Sequence, residues 1–475
     1  MQITSLVPGG QALTTLNDPT NPAHGKKLFL WNALPGELVT DFQLTKKKSS
    51  YLEGIATKIS RPSKYRTEPK DACFLSTSPW QIMTYPFELE QKRLLVAESL
   101  RQAHIDLDRL ATSGVAVAPV KTDGIEWGYR NKMEYALYWD HSDQKIYLAF
   151  HTRGTHQKLP LKPLESSENA EKLKTLPSSI ERPEIAQKAL KIVQELNSQR
   201  AEARTYQSLL LRCNQQGIIS GGLLENHQPH PVFPNLEDKI LEKPYSYSPN
   251  GFFQINLPVY ELALEEIKSH INTDKVLDLY AGVGTIGLSV ASDRHLTLVE
   301  SNPAAFGELV MNVRRIEQCA GAKSPDVAHR GGHDRAIAAE TRNDGLEDGG
   351  DTNGASRKAQ NRTIIPLARN KYSNSPKAFL AKSEDCLSFI EPNQTVILDP
   401  PRAGCDKKLL ERLLEITPKT IIYLSCNPST QARDVAILTN AEKTALTTKY
   451  KITKISPYNF FPKTPHIENL IILEQ

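Results

Sequence analysis

Hydrophobic and polar positions fall into three regimes along the chain. Over residues 1–70, short apolar runs alternate with turn formers: Ile3 to Leu6, Pro8-Gly9-Gly10, Lys27-Leu28-Phe29-Leu30-Trp31, Pro35-Gly36, Glu37-Leu38-Val39 and Gly54-Ile55-Ala56-Thr57-Lys58-Ile59. That spacing predicts a small β-barrel of the oligonucleotide-binding (OB) type. Residues 71–245 predict a mixed α+β module: a helix from Trp80 to Gln102, strand-like runs Trp127 to Leu137 and Ile146 to His151, an exposed helical stretch over 160–200, and a β-meander of Ser208 to Arg212, Gly217 to Ile219 and Gly222 to Leu224. From 246 to 475 the pattern changes to β-branched runs separated by helical periodicity. Strands are expected at Lys275 to Tyr280, Leu296 to Val299, Ala378 to Leu380, Thr395 to Leu398 and Thr420 to Tyr423, with helices from about Pro258 to His270 and from Phe306 to Cys319. Fully apolar strands alternating with helices predict a parallel α/β sheet. Residues 321–376 interrupt it. They are rich in Gly, Asp, Asn, Arg and Ser, and are expected to form a disordered surface loop.

At 475 residues the chain exceeds one ordinary core, in keeping with a multidomain α/β protein. The net charge of +4 is uneven: residues 1–70 hold 10 Lys and Arg against 5 Asp and Glu, leaving the remainder near −1. A basic end on a near-neutral body suits a polyanion-gripping module on an enzyme. Lys46-Lys47-Lys48 is either a solvated loop or a phosphate contact. Alternation along a strand puts Arg130 and Lys132 on one face, as outward charges or as contacts for RNA backbone and splayed bases. The cysteines, at 73, 213, 319, 386, 405 and 426, form no close pair, so neither a disulfide framework nor a zinc site is signalled and a reducing, cytoplasmic compartment is expected. No apolar run reaches about 18 residues, and the amino-terminal residues lack a signal peptide's apolar core, so no membrane association is expected.

The chemistry centres on Leu424-Ser425-Cys426-Asn427-Pro428. The strand Thr420 to Tyr423 has to stop at Asn427-Pro428, because proline cannot donate to a sheet ladder. Cys426 therefore sits at the carboxyl end of a central strand, where open α/β sheets bind ligands. A buried thiol there is otherwise a small hydrophobe. Gly282-Val283-Gly284-Thr285-Ile286-Gly287 follows the strand Lys275 to Tyr280, and Glu300 ends the next strand. This GxGxxG layout serves both NAD and S-adenosylmethionine. Asp278 within the strand, and Asp399-Pro400-Pro401-Arg402 closing a later one, favour S-adenosylmethionine.

Taken together, Phe252-Phe253-Gln254-x-Asn256, Asp278-Leu279-Tyr280-Ala281-Gly282-Val283-Gly284, Asp399-Pro400-Pro401-Arg402, Ser425-Cys426-Asn427-Pro428 and Phe461-Pro462-Lys463-Thr464-Pro465-His466-Ile467-Glu468 resemble the RNA (uracil-5-)-methyltransferases. The likeness is closest to the branch that acts on large-subunit ribosomal RNA and carries a TRAM domain. Gly9-Gly10-Gln11-Ala12-Leu13 and Ala33 to Val39 are similar to that RNA-binding barrel. The resemblance implies a TRAM/OB-like barrel over 1–70, a central RNA-binding α+β domain over 71–245, and a class I, Rossmann-like methyltransferase domain over 246–475. It implies Cys426 as nucleophile on uracil carbon 6 and Glu468 as base for the carbon 5 proton. Gln254, Tyr280, Thr285, Glu300 and Asp399 match positions that hold S-adenosyl-L-methionine, and Asp399 also lies where the family positions the uracil. His466 is expected to be structural rather than a proton shuttle.

The expected activity is S-adenosylmethionine-dependent 5-methyluridine formation in ribosomal RNA, by a monomer. Transfer RNA is the nearest alternative, and a non-catalytic RNA-binding or assembly factor the alternative from another class. Cluster-bearing relatives hold iron–sulfur with four cysteines; here Cys73 stands alone, and neither a cluster nor another metal is expected. Lys463 replaces the usual glutamine, Asn459 stands where the family often has aspartate, and Lys382-Ser383-Glu384-Asp385 takes the place of a Gly-Asp-Ala-Glu-like element.

Overall fold

The computed structural model of the chain describes residues 1–17, 20, 23–162, 177–199, 207–225, 228–229, 232–321, 375–439 and 450–475. The insert expected at 321–376 lies outside the described residues except at its two ends.

The amino-terminal strands are β1 (Ser5–Leu6), β2 (Ala12–Thr15), β3 (Lys27–Trp31), β4 (Leu38–Lys47) and β5 (Tyr51–Arg61), in the order β1-β2-β3-β5-β4 with β3 parallel to β5. An antiparallel bridge between Gln2 and Leu38 joins the two edges, so the sheet closes on itself as a barrel. Leu28 and Leu30 alternate inward along β3 and are wholly buried.

The middle sheet contains β6 (Lys132–Asp140), β7 (Lys145–His151), β8 (Lys158–Pro160), β9 (Ser208–Cys213), β10 (Ile219–Glu225) and β11 (Gln228–Pro229), antiparallel in the order β11-β10-β9-β6-β7-β8. The helix Pro183–Ser198 buries Ile185, Ala189 and Val193 against Tyr135, Leu209 and Leu211. The expected meander resolves differently. Gly217 is the hairpin turn at φ +85°, and the two glycine-rich runs merge into the single strand β10. Gly221, at φ +127°, makes this possible: a Cβ there would lie 2.2 Å from the Leu210 carbonyl oxygen, so only glycine lets β10 lie so close to β9. The helix expected from Trp80 divides into a 3₁₀ turn at Pro79–Ile82 and an α-helix at Tyr85–Gln102, with Pro86 in its first turn.

After the hairpin β12 (Leu236–Ile240) and β13 (Lys243–Tyr247) come β14 (Lys275–Leu279), β15 (His295–Glu300), β16 (Lys377–Leu380), β17 (Gln394–Leu398), β18 (Thr420–Ser425), β19 (Lys451–Tyr458) and β20 (Glu468–Glu474). The last seven form one sheet in the order β16-β15-β14-β17-β18-β20-β19. Its first five strands are parallel, and every residue of β17 and β18 is buried, as strands covered on both faces require. The chain winds outward from β14 in both directions, which opens a crevice at the carboxyl ends of β14 and β17.

The last strand breaks the parallel rule. β20 is inserted antiparallel between β18 and β19, with Ser425 opposite Asn469. Its amino terminus therefore lies at the carboxyl end of β18. One face of this sheet shares a continuous core with the barrel and with Val96 and Leu100 of the helix Tyr85–Gln102. The hairpin β12–β13 covers the other face, where Tyr245 meets the Ser289 hydroxyl at 2.7 Å.

Gly287 lies where the helix Thr285–Ala291 crosses β14. A Cβ there would stand 2.7 Å from Asp278 Oδ2 and 2.8 Å from a Leu298 methyl. Gly287→Ala is therefore expected to destabilise the fold by about 1–3 kcal/mol through overpacking. Thermal unfolding should show a drop of several degrees; an unchanged midpoint would contradict this packing.

Candidate active site

Two groups of side chains meet at the carboxyl edge of the seven-stranded sheet. The first surrounds the loop after β14. Asp278 is wholly buried within β14 and accepts the Gly287 amide at 2.8 Å through Oδ2, which pins the start of the helix Thr285–Ala291. Its other oxygen is buried and has no hydrogen-bond partner among the described residues. Burial first, and then Asp399 and Glu300, push its carboxyl up to about 8. Tyr280, Gly282 and Gly284 all adopt positive φ (+67°, +58° and +89°), so the loop turns sharply away from the strand. A Cβ on Gly282 would meet nothing within 4 Å, so its backbone borders open space. Glu300 ends β15 and accepts the Gly282 amide at 2.7 Å and the Asn302 amide at 2.6 Å.

This arrangement could hold an adenosyl cofactor: backbone a ligand can approach, a carboxylate at the end of the neighbouring strand, and a buried carboxyl oxygen beneath the loop. Of the residues expected to hold the cofactor, Tyr280, Glu300 and Asp399 lie at this edge. Thr285 is there too, but its hydroxyl is engaged with the Tyr260 hydroxyl at 2.8 Å. Gln254 is buried and enters from a separate loop ahead of the helix Leu257–Ser269.

That loop is held by the middle sheet. Lys132 Nζ donates to the carbonyls of Asn250 (3.0 Å) and Gly251 (3.2 Å). Arg212, wholly buried in β9, donates to the carbonyls of Gly251 (3.1 Å) and Phe253 and lies over the rings of Tyr247 and Phe253. The Asn131 side chain donates to the Gln254 carbonyl at 3.1 Å and its backbone amide to the Ile255 carbonyl at 3.3 Å. Lys132, read from sequence as an outward charge or an RNA contact, thus points at main-chain carbonyls. Burial lowers its ammonium to about 8. The signal for Arg212 in sequence was a lone cation in an otherwise apolar strand.

The second group lies one strand further on. Cys426 follows β18, one step beyond the last β18–β20 pair, Ser425–Asn469, on the side where Glu468 begins β20. Asp399 follows β17, the parallel neighbour of β18. The three interact electrostatically, and Arg402 lies within hydrogen-bonding reach of the Cys426 thiol. Burial pushes the thiol up to about 11, with Glu468 and then Asp399 adding to the shift and Arg402 opposing it. Glu468 is raised well above its ordinary value by burial and by Asp399, again against Arg402. Burial alone raises Asp399 to about 7. Because Asp399 also acts on Asp278 and Tyr260, it links the two groups.

Arg402 had no role in the sequence reading; the available signal was that it is the one cation in the motif that carries Asp399. Asn427 fixes its backbone, donating to the Arg402 carbonyl at 2.9 Å. Arg402 also approaches His466 Nδ1 at 3.4 Å, and the exposed His466 ring packs edge-on to Phe461 at 5.6 Å. Asp434 braces this edge from below, accepting the Cys405 amide and the Tyr423 hydroxyl, each at 2.8 Å. Among the described residues, no group of three or more His, Cys, Asp or Glu is placed to hold a metal ion, and the Cys73 thiol donates to the Pro177 carbonyl at 3.5 Å. Nor is any described helix long and apolar enough to cross a membrane.

Comparison with known proteins agrees with this geometry. Residues 357–475 match the family model for tRNA (uracil-5-)-methyltransferases. An uncharacterized RNA methyltransferase of Lactobacillus johnsonii is 24% identical, covering 94% of this chain and 91% of its own. Another, from Synechocystis sp., is 24% identical over 100% of this chain and 95% of its own. Among solved structures, the tRNA (uracil-54, C5)-methyltransferase of Pyrococcus abyssi, in complex with S-adenosyl-L-homocysteine, superposes with a TM-score of 0.62 at 19% identity, covering 100% of this chain and 99% of its own. The fold is thus shared over the whole length, and residues 357–475 carry a likeness to the tRNA (uracil-5-)-methyltransferases.

Proposed function

We propose that the protein methylates carbon 5 of a specific uridine in RNA, with Cys426 as nucleophile and Glu468 as base. The observation that carries this reading is the β18–β20 register that brings Cys426 and Glu468 to one edge, with Asp399 on the adjacent strand end. Carbon 5 of uracil is a weak nucleophile. Addition of the Cys426 thiolate to carbon 6 turns the ring into an enolate that is nucleophilic at carbon 5, so covalent catalysis divides one difficult step into easier ones. S-adenosylmethionine, held by Gln254, Tyr280, Thr285, Glu300 and Asp399, supplies an electrophilic methyl group. Glu468 then takes the carbon 5 proton, the bond from sulfur to carbon 6 breaks, and the thiolate returns. The raised pKa makes the Glu468 carboxylate a stronger base, which suits this role.

We read the chain as three modules: a TRAM-like barrel over 1–70, a central α+β module over 71–245, and a methyltransferase module over 246–475. The barrel's basic balance and closed five-stranded order support a grip on RNA backbone. Phe252, 77% exposed beside Gln254, offers a stacking face to a base removed from its helix. The barrel favours ribosomal RNA as substrate. Transfer RNA is the second reading, supported by the name of the matched family model and by the activity named for the Pyrococcus abyssi protein.

The deciding experiment incubates unmodified ribosomal and transfer RNA with the enzyme and labelled S-adenosylmethionine, followed by nucleoside mass spectrometry. Labelled 5-methyluridine is expected in the ribosomal pool; label in the transfer pool alone would reverse the substrate assignment, and label in neither would overturn the activity. Cys426→Ala should abolish the product while keeping S-adenosylhomocysteine binding. Glu468→Gln should accumulate a gel-stable protein–RNA adduct, and free turnover by that variant would remove Glu468 as the base.

The pH dependence follows from the shifts. Both reactive forms, the Cys426 thiolate and the Glu468 carboxylate, are deprotonated, and both pKa values are raised. The single-turnover rate should therefore climb with pH through the neutral range. Arg402 lowers both values, so Arg402→Gln should move the rise to higher pH and slow the reaction at pH 7, by roughly tenfold. A profile that does not move would sink this electrostatic role.

A further inference from the structure

Among the described residues Lys463 is, after Lys92, the most buried lysine; it lies in the loop ahead of Glu468 and is separate from the Cys426 group. Its residue is 3% exposed and its backbone adopts φ +63°. Its ammonium forms an ion pair with Glu126 at 2.6 Å and lies 3.8 Å from Glu88, between the rings of Tyr85 and Trp127, each 5.2 Å away. Glu88 and Lys92, both wholly buried on the helix Tyr85–Gln102, complete the cluster with a 3.0 Å ion pair. Two lysines and two glutamates balance, as buried charges must.

Several contacts of this cluster converge on the segment between β19 and β20, while the Lys463 ammonium also donates to the Met83 carbonyl at 3.5 Å. Lys92 donates to Asn459 Oδ1 (2.6 Å) and to the Phe461 carbonyl (3.0 Å). Glu88 accepts the Lys463 amide at 2.9 Å and the Asn459 side-chain amide at 3.2 Å. Tyr129 donates to the Pro462 carbonyl at 2.9 Å. The Trp80 amide donates to the Lys463 carbonyl at 3.0 Å, while its indole donates to the Gly10 carbonyl of the barrel at the same distance. Gly10 closes the clamp: a Cβ there would lie 2.2 Å from Pro465 Cβ.

We infer that Lys463 is a positioning residue for the base: with Glu126, Glu88 and Lys92 it fixes the path of residues 459–467, and hence where the Glu468 carboxylate stands relative to the uracil ring. The inference rests on Glu468 acting as the base. It also accounts for both departures from the family motif at once. A neutral Asn459 and a cationic Lys463 suit a cluster in which Glu88 and Glu126 supply the negative charge and Lys92 the second positive one. A displacement of the base by about 1 Å is enough to cost on the order of a hundredfold in proton transfer, so a mobile loop would be felt in that step above all.

The test separates the two halves of the reaction. RNA transcribed with 5-fluorouridine reports addition and methylation without proton removal, because fluorine at carbon 5 stalls the adduct; ordinary RNA requires Glu468 for release. Lys463→Met keeps the aliphatic stem and removes the charge. It should form the fluorouridine adduct within twofold of the wild-type rate and lose at least tenfold in turnover on ordinary RNA. Glu126→Gln, at a partly exposed position, should show the same split and carries the test if Lys463→Met does not fold. Turnover within twofold of wild type in the folded variants overturns the inference, as does a parallel loss of adduct formation and turnover. Absence of turnover by the wild type would instead overturn the reading of Glu468, and this inference with it.

Discussion

The antiparallel insertion of β20 between β18 and β19 is the constraint on which the site depends. In an all-parallel sheet only carboxyl ends reach the ligand edge, and each strand offers one residue there before its loop departs. Reversing one strand brings an amino terminus to the same edge, so Glu468 and Cys426 meet there just beyond the Ser425–Asn469 pair, which sets their backbones side by side. The ladder is all backbone, and Gln431 ties both strands from below, donating to the Tyr423 carbonyl at 2.8 Å and the Asn469 carbonyl at 2.9 Å. A one-residue slip would turn Glu468 to the other face and leave the thiol without its partner.

The same closeness sets the electrostatics. Glu468, Asp399 and Cys426 are all acids, and gathering them in a buried edge raises each of them. Arg402 is the counterweight to both the thiol and Glu468. Ionisation of Glu468 or Asp399 opposes ionisation of the thiol, and Arg402 offsets that opposition.

Much of this was legible in the sequence, and the parts that were not have physical causes. The apolar runs Thr395 to Leu398 and Thr420 to Tyr423 announced buried parallel strands, and Pro428 fixed where Cys426 had to sit. The glycine loop after Asp278 was equally plain. The role of Lys132 and Arg212 was hidden, because a cation that serves main-chain carbonyls leaves no pattern in side-chain spacing: Arg212 and the Phe253 carbonyl it holds come from different sheets and loops. The single strand β10 was misread as two because Gly221-Gly222 looks like a turn; pairing with β9 overrides that local preference. Arg402 stood in a recognised motif with no role assigned, since its partner His466 and its target Cys426 come from distant stretches of chain.

The middle sheet and the barrel are thereby more than surfaces for a substrate. The middle sheet reaches the cofactor edge through Asn131, Lys132 and Arg212, which together hold the carbonyls of Asn250, Gly251, Phe253, Gln254 and Ile255. The barrel reaches the loop ahead of Glu468 through Trp80, which bonds Gly10 on one side and Lys463 on the other. Both halves of the proposed chemistry, cofactor binding and proton removal, thus lean on residues of the 71–245 stretch, and the barrel joins the second through Gly10. Neither hold could be replaced by local structure, because the loops around Gln254 and Lys463 lack the ladder that fixes Cys426. The register of β18 and β20 brings Cys426 and Glu468 to one edge, and contacts from outside the sheet hold the loops around Gln254 and Lys463 that border it.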